Sequence, residues 1–199
     1  MTKIFSGQTS LVEHIWPAQL PGERLLRLFV MAVLGSVALA VSAKMQVPFY
    51  PVPMTLQLLV LLLIAASFGK VHALATILLY MAEGALGLPV FAGTPERGIG
   101  IAYMVGPTGG YLLGFVLLTI FVGSMAQSRH ASRLSFMIPV MLSGVIIMYI
   151  PGLLYLGSLV GFDERVWAWG FTPFILADCV KAVIAGLAFP YLQRIVSKI

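Results

Sequence analysis

Leu134 to Leu159 reads LSFMIPVMLSGVIIMYIPGLLYLGSL, an unbroken stretch with no Asp, Glu, Lys, Arg or His. At 1.5 Å per residue such a helix covers the roughly 30 Å hydrocarbon core of a bilayer. Runs of the same character recur on both sides of it. Leu28 to Ala43, Pro53 to Phe68, Val71 to Leu86, Tyr111 to Ala126 and Thr172 to Val196 complete the set. The expectation is an all-α integral membrane protein of about six transmembrane helices. Composition agrees: 60% of the residues are hydrophobic and only 10% charged, where soluble domains carry about a quarter charged. No segment of soluble-domain size is left over, so residues 1–199 are read as a single transmembrane domain. Residues 1–24 contain Glu13, Trp16, two prolines and Glu23 without a short apolar core and cleavage site, and read as a polar interfacial tail.

Four of these runs are shorter than the roughly 20 residues a perpendicular crossing needs. Arg27 and Lys44 at the ends of the first run are placed to snorkel, and the Pro- and Gly-rich breaks at 47–53 and 87–110 are expected to fold back as caps packed on protein. Basic residues set the orientation. With both termini cytoplasmic, Lys3, Arg24, Arg27, Lys70, Arg129, Arg133, Arg194 and Lys198 lie inside, against Lys44, Arg97 and Arg165 outside. The positive-inside rule favours that arrangement. The net charge of +5 is therefore a topology signal and gives no reason to expect a nucleic acid partner. The breaks after the first, third and fifth spans then face outward, where function is expected. They carry Glu96, Arg97, Asp163, Glu164 and Arg165, read as solvated loop charges, and Trp167, Trp169 and Phe171, read as an interfacial aromatic belt.

Asp178 and Lys181 are the sharpest feature. Each costs about 2.5–3.5 kcal/mol at the centre of a spanning helix on insertion scales, and their spacing of three places them on one helix face in the outward half of the last span. They form either a self-neutralising structural pair or a site for a small amphipathic ligand holding both N–H donors and a carboxylate. Glu83, near the outward end of the third span, is a further candidate or an interfacial cap. Gln57, one turn into the second span, either binds a ligand or bridges helices. Tyr149, Pro151 and Gly152 interrupt the fifth span, and the carbonyls freed by proline either line a cavity or pack as a kink. Ala32, Ser36 and Ala40 recur every four residues in the first span, a smooth stripe suited either to a partner's helix or to one of this chain's own.

Other chemistries lack their residues. Gly106-Pro107-Thr108-Gly109-Gly110 superficially resembles a phosphate loop, but G-x-x-x-x-G-K-[ST] occurs nowhere. His14, His72 and His130 are scattered outside any H-E-x-x-H helix, no G-x-S-x-G elbow is present, and Cys179 is the single cysteine. No catalytic residue, metal site or cofactor is expected.

Pro51-Val52-Pro53-Met54-Thr55-Leu56-Gln57, Gly87-Leu88-Pro89-Val90-Phe91-Ala92-Gly93, Gly106-Pro107-Thr108-Gly109-Gly110-Tyr111 and the pair Asp178 and Lys181 followed by Ala182, in this order, resemble the BioY family. Its members are the biotin-binding S components of energy-coupling-factor (ECF) transporters. The resemblance covers nearly all six spans. It implies an S-component-like bundle in a prokaryotic cell membrane, holding biotin as ligand near the outer surface beneath the loops after spans one, three and five. It assigns Asp178 to the ureido N–H groups and Lys181 to the valerate carboxylate, with Gln57, Phe91 and Tyr149 lining the pocket. It also reads Ala32, Ser36 and Ala40 as a docking face for a transmembrane coupling subunit, with ATPase subunits on further chains. Self-association is left open. One departure is Ala177, where the family usually has glycine; another is Thr94-Pro95-Glu96-Arg97-Gly98, which is less glycine-rich than the family's segment. The alternatives are an S component for another vitamin, an intramembrane enzyme using Asp178 or Glu83 as acid or base, and a purely structural subunit.

Overall fold

In hydrocarbon every backbone N–H and C=O must find its partner within the protein, so long apolar runs become helices. The computed structural model describes residues 9–47, 52–96 and 98–198. In chain order these form α1 (Leu11–Ile15), α2 (Pro21–Lys44), β1 (Gln46–Val47), β2 (Met54–Thr55), α3 (Gln57–Ala85), α4 (Gly100–Met104), α5 (Gly109–Ala126), α6 (Leu134–Val160), α7 (Glu164–Gly170) and α8 (Ile175–Val196). Five of them, α2, α3, α5, α6 and α8, are long and apolar enough to cross a membrane.

α3 holds two of the expected spans. Gly69 interrupts it at φ 73° and ψ 171°, a region that L side chains avoid. Gln57 and Tyr80 line one cavity, whereas a straight helix would hold them about 34 Å apart. The chain therefore folds back at Gly69 into two antiparallel legs. A side chain there would also collide, since a Cβ on Gly69 would lie 2.8 Å from Cβ of Ser10. The reversal falls at Gly69-Lys70, between the second and third expected spans, and six crossing segments result from five helices.

The legs of α3 pack against α2 and α5, and α5 against α6, which in turn meets α8. With lipid as apolar as leucine, close helix contact in a membrane depends on small residues at the seams. A Cβ on Gly114 of α5 would lie 2.8 Å from Cα of Met148 on α6, and one on Gly186 of α8 would lie 2.9 Å from Cα of Ile138. Leu61, Leu62, Ile77, Leu118, Met137, Met141 and Phe189 fill the interior, while Phe29, Leu34, Val37 and Val41 of α2 and Ile146, Ile150 and Leu154 of α6 are exposed. Such outward apolar faces are what a lipid-solvated bundle presents.

The helix α6 runs from Leu134 to Val160 with both Pro139 and Pro151 inside it, in keeping with the single fifth span read from the sequence. Three expectations need correction. The Ala32, Ser36 and Ala40 stripe packs within the chain: Ala32 and Ser36 are buried, the Ser36 hydroxyl donates to Glu83 Oε2, and neighbouring Gly35 lies where a Cβ would strike the Thr76 side chain. The smoothness of the stripe serves the α2–α3 approach rather than an open face.

The described part of the N-terminal tail is no loose interfacial strand. Ser10 and Glu13 close a capping box, with Glu13 N–H donating to Ser10 Oγ at 3.2 Å and Ser10 N–H to Glu13 Oε2 at 2.9 Å. Leu11 and Val12 are buried, and Pro21 already starts α2. Arg27 does not snorkel. It is buried, its Nη1 donating to the Trp16 carbonyl at 2.6 Å, its Nε to His72 Nε2 at 3.3 Å, with Glu13 Oε1 at 3.8 Å. Hydrogen bonds to charged groups are worth about 1.5–3 kcal/mol each, so Arg27→Met is expected to release α1. Limited proteolysis checks this: cleavage within residues 10–20 should accelerate severalfold while helical content is unchanged, and unaltered cleavage would deny the staple.

Candidate substrate-binding site

The Gln57 end of the bundle is capped by the segments after α2, after α3 and after α6, and a cavity of about 630 Å³, its open mouth included, lies beneath them. Each polar group in its wall has a local origin. Asp178 falls in the first turn of α8 and Lys181 follows one turn later, so both point from one face of that helix.

Asp178 is 7% exposed. Its Oδ1 accepts from Lys181 Nζ at 2.8 Å and its Oδ2 from the Tyr149 hydroxyl of α6 at 2.7 Å. Each carboxylate oxygen keeps a lone pair for another donor, and the ammonium, with three N–H bonds, keeps donors for an anion. Across the cavity Gln57 is buried at the start of α3, its Nε2 making no well-formed hydrogen bond among the described residues although the Tyr80 hydroxyl lies nearby. A buried amide donor left unpaired is costly, about 1–3 kcal/mol, and an acceptor on a ligand would remove that cost.

Aromatic rings make the rest of the wall. Phe91 stacks on Tyr103 with ring centres 4.8 Å apart and meets Tyr80 edge-on at 5.3 Å. Tyr149 sits edge-on to Tyr111 at 6.0 Å and to Phe171 at 5.2 Å. Two hydroxyls also hold covering segments: Tyr80 donates to the Val90 carbonyl at 3.0 Å and Tyr111 to the Gly170 carbonyl at 2.7 Å. The arrangement suits a small molecule with an apolar middle, an anionic end and a polar group that both donates and accepts hydrogen bonds.

Of the residues singled out in the sequence, the fold brings Asp178, Lys181, Gln57, Phe91 and Tyr149 to one cavity. Glu83 is not among its lining residues and is committed to Ser36 of α2; its place near the end of a span put it close in sequence terms, but its face of the helix turns toward α2. Arg97 lies outside the described residues. Glu96 is exposed, and Asp163 pairs with Arg165 on the surface at 2.7 Å, where hydrogen bonds from the Arg165 side chain hold the carboxyl below its ordinary range. Trp167, exposed, and Phe171 stack edge-on at 5.6 Å at the foot of α7. Sequence reasoning missed Tyr80, Tyr103 and Phe174 as wall residues. Tyr111 was quoted only as part of a motif; Tyr80 and Phe174 lie toward the ends of apolar runs, and Tyr103, in the break at 87–110, carries no such signal.

Among known proteins, the BioY family model matches residues 13–198. The biotin transporter BioY of Thermotoga maritima is 32% identical over 170 residues, spanning 85% of this chain and 98% of that protein. The biotin transporter BioY of Rhodobacter capsulatus is 36% identical over 172 residues, spanning 79% of this chain and 89% of its own. A crystal structure of the S-component for biotin from an ECF-type ABC transporter superposes with a TM-score of 0.74, covering 89% of this chain and 95% of that one at 20% identity. At that identity the match speaks for the shared fold.

Proposed function

This chain belongs to the BioY family, and we propose that it is the biotin-capturing subunit of an ECF-type vitamin uptake transporter in a prokaryotic cell membrane. The observation that carries the reading is the Asp178 and Lys181 pair, a buried carboxylate and a part-buried ammonium at the wall of a cavity, bonded at 2.8 Å. An acid and a base at that depth offset part of each other's dehydration, and a guest offering complementary groups offsets more.

Biotin has those groups. Its ureido ring presents two N–H donors and a carbonyl acceptor, and its valerate chain ends in a carboxylate. In this reading Asp178, held by Tyr149, accepts from the ureido N–H groups, the Gln57 amide donates to the ureido oxygen, and the free donors of Lys181 take the carboxylate. Phe91 and Tyr149 enclose the apolar middle. Glu83 takes no part in binding. The chain performs no chemistry on its ligand: recognition resides here, and the energy comes from ATPase subunits through a transmembrane coupling subunit on other chains.

The charge distribution supports the orientation in which the cavity faces outward. The Gly69 turn, the start of α2, the end of α8 and the loop between α5 and α6 lie at the opposite end and carry Arg24, Lys70, Arg129, Arg133, Arg194 and Lys198, the excess expected of a cytoplasmic face.

Calorimetric titration of the purified, folded protein tests the reading. Saturable one-to-one binding of biotin, with other vitamins failing to compete, is expected. Absence of biotin binding, or displacement by an unrelated vitamin, would reject it.

A further inference from the structure

Lys44, the last residue of α2, reaches across to the segment that follows α3. Its ammonium donates to the Phe91 carbonyl at 3.0 Å, to the Thr94 carbonyl at 2.8 Å and to Thr94 Oγ1 at 2.8 Å. That occupies all three N–H donors of a lysine. The cage closes on itself, because Thr94 Oγ1 also donates to the Phe91 carbonyl at 2.7 Å, and the Thr94 N–H does so at 3.3 Å. Among the described residues no carboxylate bonds to this ammonium. A cation that only snorkelled toward water would not spend every donor on one turn of a neighbouring segment.

What the cage fixes is the backbone beneath a wall of the cavity. Phe91 is 1% exposed and Thr94 6%. The Phe91 ring lies over Gly84, where any Cβ would collide with it, and between Tyr80 and Tyr103. The same end of α2 anchors a second cover: Leu56 N–H donates to the Met45 carbonyl at 3.0 Å, and Gln46 pairs with Thr55 in the β1–β2 ladder. Two of the three covers are thus tied to one helix terminus, while Lys44 itself is absent from the cavity lining.

We propose that Lys44 is a positioning residue that latches the Phe91 to Thr94 turn over the cavity and so sets how long a ligand stays bound. The residence-time part rests on the biotin reading; the latch itself does not. Breaking the latch frees the wall to swing, which speeds escape from a closed pocket more than entry into an open one.

Two measurements on the full-length protein decide it. In Lys44→Met, which keeps the stem and removes the donors, amide hydrogen exchange of the unliganded protein should accelerate about tenfold or more at Thr94 and Gly98, the order expected on losing hydrogen bonds to a charged group, with α5 and α6 unchanged. With biotin, the dissociation rate should rise by a similar factor while association changes less than about threefold. Thr94→Val should raise dissociation less, and Lys44→Met combined with Thr94→Val by less than the product of the two single effects, since both act on one cage. Unchanged exchange at Thr94 and Gly98 would overturn the latch whatever the ligand. Normal biotin dissociation alongside faster exchange would overturn its role in residence time. Failure of the unaltered protein to bind biotin would sink the biotin reading and leave the exchange result to judge the latch.

Discussion

Lys181→Ala is expected to weaken biotin binding by about a hundredfold or more. Truncating one member of a buried, hydrogen-bonded charge pair costs about 3–5 kcal/mol, and each 1.4 kcal/mol is about tenfold in affinity. The lower end applies here, because the Lys181 and Asp178 side chains keep 13% and 10% of their exposure. Two losses combine in the variant. The ligand carboxylate loses its cation, and Asp178 is left with only the Tyr149 hydroxyl. A biotin analogue with an uncharged amide in place of the carboxylate separates them: it should lose much less than biotin does on going from the unaltered protein to Lys181→Ala. Asp178→Asn should also bind substantially more weakly, since the amide nitrogen cannot accept an N–H and Lys181 loses its counter-charge. Equilibrium titration of the variants decides the matter, and unchanged biotin affinity in either would mark the pair as structural.

Gly114→Val is expected to lower the melting temperature by about 5–10 °C. A Cβ at this position meets backbone, the Met148 carbonyl oxygen and its Cα at 2.8 Å, so no rotamer change can relieve the overlap and α5 must move away from α6. Overpacking a tight interior costs about 1–3 kcal/mol and occasionally more, and 1 kcal/mol shifts melting by about 2–4 °C in a chain of this size. Gly22→Ala serves as the control, since nothing lies within 4 Å of the Cβ it would add. Thermal unfolding in detergent reads both variants. A Gly114→Val protein melting with the Gly22→Ala control would show that the α5–α6 seam is looser than its backbone separation implies.

These two sites differ in how far the sequence disclosed them. Asp178 and Lys181 stand out because charge is rare in an apolar run, and a spacing of three suffices to put them on one face. The six crossing segments are legible for a similar reason: hydropathy reports burial in lipid directly, and Gly69 beside Lys70 marks the reversal inside α3. Contacts between segments are another matter. Whether Ala32 and Ser36 face a partner or the chain's own α3 depends on what packs against α2, and a stripe of small residues suits either neighbour equally. The same uncertainty hides Glu83, whose partner Ser36 lies far away in sequence. Pro151 stays within one span because a proline costs a helix one N–H and a steric adjustment, which neighbouring helices in a membrane accommodate. The docking of α1 rests on two buried side chains, Leu11 and Val12, and on Arg27 of α2 reaching back to Trp16 and Glu13, too short and too distributed a signal to distinguish from a polar tail.

A structure of the protein determined with biotin present would show which side chains hold the ligand. The ureido ring should lie against Asp178 within reach of Gln57, with the carboxylate on Lys181 and Phe91 closed over the apolar chain. Biotin seated away from these residues, or a cavity still holding the intact Lys181 to Asp178 contact with no ligand beside it at saturating biotin, would rule out capture by this pair.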